Sequence, residues 1–96
     1  MEGTYTYILD FRGGTYVSQV KSKSLDESVN MWVKYLKKTE GTIQFLDRKS
    51  ILEIEKQFQD EDNRTPRPLD GLSNVWCLDI LTKQGFGLIN IIKTEI

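Results

Sequence analysis

The apolar positions fall into two spacings along the chain. Between residues 4 and 11 they alternate, with Tyr5, Tyr7, Leu9 and Phe11 at every second place, the period of a strand with one buried face. Gly13-Gly14 follows and residues 15–23 supply a return strand, so 4–23 is expected to be a hairpin. A two-residue loop at Gly13-Gly14 pairs Phe11 with Tyr16, Leu9 with Ser18 and Tyr7 with Val20. One face then carries Tyr5, Tyr7, Leu9, Phe11, Tyr16 and Val20. The other carries Thr6, Ile8, Asp10, Val17, Gln19 and Lys21. The first is the core face, because register decides which set of side chains is buried.

The spacing then changes to that of a helix. Leu25, Val29, Trp32, Val33 and Leu36 lie on one face of a 3.6-residue repeat. Ser24 and Glu27 form a capping box at its start, and Asp26 and Glu27 place negative charge at the positive end of the helix dipole. Lys37 and Lys38 suit the opposite end and Gly41 is a natural stop. A helix is therefore predicted over 24–38. Residues 42–46 fit either a short strand or a connector. Over 47–60, Ile51, Ile54 and Phe58 share a helical face, and Ser50 with Glu53 offers a second capping box. Leu52, Ile54 and Phe58 also alternate with Glu53, Glu55 and Gln57, as in a strand, but Lys56 breaks the alternation and a helix is preferred.

Residues 60–74 read as a long loop, holding Asp60, Glu61, Asp62, Asn63, Pro66, Pro68 and Gly71; loops of this length in small domains are often functional. A second hairpin is expected over 75–94, turning at Gln84-Gly85 and pairing Leu81 with Leu88, Ile80 with Ile89, Leu78 with Ile91 and Cys77 with Ile92. Its core face carries Trp76, Leu78, Ile80, Ile89 and Ile91, and its other face Cys77, Asp79, Leu81, Leu88, Asn90 and Ile92. The expected architecture is a single α+β domain over 1–96. It is an antiparallel sheet of about four strands built from N- and C-terminal hairpins, with one or two helices packed on one face.

Composition narrows the chemistry. The 96 residues include 13 Lys or Arg, 14 Asp or Glu and no His, for a formal net charge of -1. Without His, Ser-His-Asp and Cys-His catalysis are excluded and the commonest metal ligand is missing. The single Cys77 cannot make an internal disulfide or a multi-Cys zinc site and reads as a packing residue. Asp10 and Asp79 share a sheet face but nothing places them in a cleft. No enzyme activity, cofactor or metal is expected. The near-neutral charge gives no strong nucleic-acid signal, no apolar run reaches membrane-spanning length, and the Met1-Glu2-Gly3-Thr4-Tyr5 start lacks a secretory pattern. A cytoplasmic protein is expected.

Three binding readings remain. The first rests on the second sheet face, where Ile8, Val17, Leu81, Leu88 and Ile92, with Cys77, exceed the apolar content of an ordinary solvated face; such a patch suits a protein partner or a homodimer formed sheet to sheet. The alternative for that face is cover by a helix or by the 60–74 loop. The second reading assigns Asp60, Glu61 and Asp62 to a basic partner, as in an antitoxin- or immunity-type inhibitor; the run lacks the ligand spacing of a calcium loop. The third is a weak nucleic-acid-binding accessory protein that stacks bases on Tyr5, Tyr7, Phe11 and Tyr16, but these fall on the core face. Gly13-Gly14 beside Arg12 is a hairpin turn rather than an anion nest. The expectation is a small non-catalytic protein-interaction domain that self-associates through a sheet face.

Overall fold

Strand and helix periods translate into eight elements in the computed structural model, which describes residues 2–94. In chain order they are β1 (Gly3–Phe11), β2 (Gly14–Ser22), α1 (Leu25–Lys38), α2 (Arg48–Gln57), α3 (Glu61–Arg64), β3 (Arg67–Pro68), β4 (Val75–Thr82) and β5 (Gly85–Thr94). The strands form one antiparallel sheet in the order β2-β1-β5-β4-β3. The sheet has five strands, not about four. The extra one comes from the segment read as loop, where Arg67 pairs with Cys77 and Pro68 with Trp76. Proline is compatible with such an edge position because its missing N–H need not serve a ladder.

Both hairpins turn earlier than expected. The first loop is Arg12-Gly13, so Phe11 pairs with Gly14, Leu9 with Tyr16 and Tyr5 with Val20. Arg12 and Gly13 take φ of 48° and 82°, the paired positive values of a turn whose twist matches the strands it joins. Arg12 is held there by distant partners: its Nη1 donates to the Gln84 carbonyl at 2.6 Å, and its guanidinium lies 4.2 Å from the centre of the Phe45 ring. The second loop is Lys83-Gln84, so Leu81 pairs with Phe86, Asp79 with Leu88, Leu78 with Ile89 and Cys77 with Asn90. Thr82 stabilises it, with Oγ1 accepting from the Gln84 N–H at 3.1 Å, and Gly85 follows at φ 140°. Each correction moves the pairing by two residues. A two-residue shift leaves every side chain on its original face.

Helix ends are set by side chains. Ser24 Oγ accepts from the Glu27 N–H at 3.1 Å at the start of α1. The helix stops before Gly41, at Thr39, whose Oγ1 donates to the Tyr35 carbonyl at 2.8 Å. Asp47, not Ser50, caps α2, its carboxylate accepting from the Ser50 N–H at 2.9 Å. That bond holds the Asp47 carboxyl below its ordinary pKa. Residues 42–46 form a turning connector without a strand, and α2 ends at Gln57 rather than 60.

The helices cover one side of the sheet. α1 packs mainly against β2 and α2 against β4. Between them and the sheet lie Tyr7, Leu9, Trp32, Leu36, Ile54, Leu78 and Ile89, all buried. Tyr7 and Trp32 stack with ring centres 5.4 Å apart and planes 14° apart. Ser28 Oγ donates to the Leu25 carbonyl at 2.6 Å, which leaves Tyr7 to donate its own proton to Ser28 across 2.7 Å. Burial raises the Tyr7 pKa well above the ordinary tyrosine value.

A raised folded-state pKa means that the folded protein holds this proton more tightly than the unfolded chain. The contribution is complete below the unfolded value of about 10 and is lost as pH rises toward the folded value. Thermal melts from roughly pH 8 upward should therefore show stability falling above about pH 10. Tyr7→Phe, which removes the titrating group, should flatten that fall. An unchanged alkaline slope in the variant would contradict the assignment.

Candidate interaction surface

Alternation along four long strands gives the sheet a second face, directed away from the helices. The registers order it into rows across the sheet. One row reads Val17, Ile8, Asn90, Cys77, Arg67, from β2 to β3. The next reads Thr15, Asp10, Leu88, Asp79. On the other side of the first lies Gln19, Thr6, Ile92, Val75, and at the turn end Leu81 stands opposite Phe86.

Of the five apolar residues expected here, Val17 is 63% exposed, Leu81 64% and Leu88 38%, whereas Ile8 and Ile92 are half-buried among their neighbours. The 60–74 segment does not cover them: it pairs edgewise with β4 through Arg67 and Pro68. Sequence reasoning missed one member of the patch. Phe86, 58% exposed, joins Leu81 at the turn end. Its even number, shared with Leu88 and Ile92, carries that signal.

The polar groups of this face bond mostly to one another. Thr15 Oγ1 donates to Asp10 at 2.8 Å, Gln19 Nε2 donates to Thr6 Oγ1 at 3.0 Å, and Arg67 pairs with Asp79 at 3.3 Å. Asp10 and Asp79 are separated by the strand that carries Leu88, two strand spacings or roughly 10 Å. Each has its own partner, so they do not form a carboxylate pair. Cys77 is half-buried in the same face.

Asp60, Glu61 and Asp62 are exposed where the chain passes from α2 into α3. The Asp60 carboxylate accepts from the Asp62 N–H at 2.9 Å and caps the single turn of α3. Tyr5, Tyr7 and Phe11 are buried, and Tyr16 is packed against the same core; none is displayed as a stacking platform. Among the described residues, no group of three or more Cys, Asp or Glu side chains is placed to hold a metal ion, and no helix is long and apolar enough to cross a membrane. No protein-family model, curated protein or solved structure matches this chain significantly.

Proposed function

We propose that this domain works by binding rather than catalysis, and that it associates with a second copy of itself through the outward face of the sheet. The observation that carries this is the exposure of Val17, Leu81, Phe86 and Leu88 on one continuous face, while the chain's own helices and loop lie elsewhere. Contiguous apolar surface of this kind costs free energy in water and is relieved by a partner.

Self-association suits the charges. Asp10 lies near the turn end of β1 and Lys21 near the far end of β2, so a two-fold stacking with strand directions reversed sets the Lys21 of one copy toward the Asp10 of the other. Four long strands about 4.8 Å apart and some eight residues long give a projected area on the order of 500 Å². Side-chain relief raises the accessible area toward the low end of specific interfaces. A reversible dimer follows, not a permanent one. The free thiol of Cys77 suits a reducing compartment, and a cytoplasmic location belongs to the same proposal.

Multi-angle light scattering over a concentration series tests the proposal. The expected result is a mass rising from 11.2 kDa toward twice that value as concentration increases. A mass that stays monomeric at the highest soluble concentration would remove the proposal.

A further inference from the structure

The two edges of the sheet are finished differently. The two-residue loop at Arg12-Gly13 makes Phe11 and Gly14 a mutually hydrogen-bonded pair, so β2 bonds to β1 through its even residues. Thr15, Val17, Gln19 and Lys21 then aim their backbone N–H and C=O groups away from β1. No strand lies on that side among the described residues. At the opposite edge, most of the corresponding groups of β4 are occupied. β3 pairs with Trp76 and Cys77, the Gln57 side-chain oxygen accepts from the Leu81 N–H at 3.1 Å, and Glu53 accepts from the Lys83 N–H at 3.0 Å. Folded proteins normally blunt exposed edges in such ways. β2 has no proline in its nine residues.

Beside the open edge runs a groove of about 290 Å³, between β2, α1 and the 42–43 connector. Tyr16, Ser18, Trp32, Tyr35, Thr42 and Ile43 are among its lining residues, which makes it an aromatic groove of mixed polarity, with hydroxyls beside the rings. It has room for one large side chain of a strand laid along β2. β2 itself carries one charge, Lys21, on the outward side of the sheet.

We propose that the open edge of β2 accepts an extended peptide as a sixth strand, with an apolar side chain seated in the groove against α1 and an acidic residue opposite Lys21. Backbone hydrogen bonds hold such a strand, and alternate side chains select it. A second copy of this domain does not fit the same edge. α1 lies chiefly over β2, and pairing β2 to β2 sets the strands about 4.8 Å apart, whereas packed helices need about 8–10 Å between axes. A peptide brings no helix to the edge. The site shares Lys21 with the outward face but its backbone groups and groove lie along the edge, so a peptide-binding monomer and a dimer without peptide binding are distinguishable outcomes.

The probe is a fluorescein-labelled peptide, TEVTFTVT. Laid antiparallel with its Glu opposite Lys21, it sends Val, Phe and Val toward the groove. Saturable anisotropy is expected, with affinity at least about tenfold weaker for TKVTFTVT and for TESTSTST, each losing one recognition element. Amide shifts in labelled protein are expected at Thr15, Val17, Gln19 and Lys21. Gln19→Pro removes one outward N–H and no backbone bond to β1, and of the side-chain bonds only the exposed one to Thr6. Set against Gln19→Ala, which loses that same side-chain bond but keeps the N–H, it should melt alike and bind more weakly by about tenfold or more. Equal binding by a folded Gln19→Pro variant, shifts mapping elsewhere or nowhere, or β2-to-β2 pairing in peptide-free protein would each overturn the proposal. Should the proline variant fail to fold, the shift map and the two altered peptides decide.

Discussion

Replacing Trp32 by alanine is expected to unfold the domain at physiological temperature or to leave it barely folded. Trp32 is 1% exposed and joins α1 to the sheet by stacking on Tyr7. Removing a buried indole costs about 3–5 kcal/mol, from lost burial and from the cavity left behind. Native domains are stable by only about 5–15 kcal/mol in total, and short ones lie toward the lower end. At about 4–8 °C per kcal/mol for domains of this size, the melting temperature should fall by more than about 12 °C. Circular dichroism melts measure it directly. Leu52→Ala is the control, because Leu52 is 50% exposed on α2 and its truncation should shift the melt little. Similar losses for the two variants would mean that Trp32 is not the link between α1 and the sheet.

Leu88→Asp is expected to abolish self-association while leaving the fold intact. Leu88 lies at the middle of the outward face, flanked in its row by Asp10 and Asp79. A carboxylate there puts a third negative charge in the row and must be desolvated when the face is covered. Charges buried without partners cost several kcal/mol, so affinity should fall by about a hundredfold or more. The same row predicts a side effect. Like charges directly opposite on neighbouring strands destabilise a sheet by about 0.2–1 kcal/mol per pair, so the Leu88→Asp monomer should melt slightly lower. Leu81→Asp, opposite Phe86 rather than an acid, should lose association without that penalty. Light scattering and melts on both variants separate the two effects. Undiminished association in both would rule out the face as the interface.

Much of the fold was legible because period is a local property. Alternation in 4–11 and 75–94 sorted most side chains of the long strands onto their faces, and Ser24 with Glu27 marked the start of α1. The errors fell where distant contacts decide. Arg12 adopts a left-handed conformation beside Gln84 and Phe45, and no local rule favours it over Gly14 as a turn residue. β3 exists through its pairing with β4 and has no pattern of its own in two residues. Thr39 and Asp47 took the capping roles assigned to Gly41 and Ser50 because each reaches a backbone group from its own turn. The surface was legible in the same measure. Parity placed Ile8, Val17, Leu81, Leu88 and Ile92 together, but the side on which the helices pack is a tertiary matter. Phe86 was passed over because the turn was placed one residue too late, which set it beside the loop instead of opposite Leu81. The open edge of β2 was not legible, since nothing in a strand's sequence says that its neighbour is missing.

The central claim is that the outward face of the sheet meets its own copy. Isotope-filtered nuclear Overhauser spectroscopy on a mixture of labelled and unlabelled protein tests it most directly. The prediction is intermolecular cross-peaks confined to the methyl groups of Ile8, Val17, Leu81, Leu88 and Ile92 and the ring of Phe86. Intermolecular peaks from the helices instead, or none from the outward face at concentrations where light scattering reports a dimer, would contradict it.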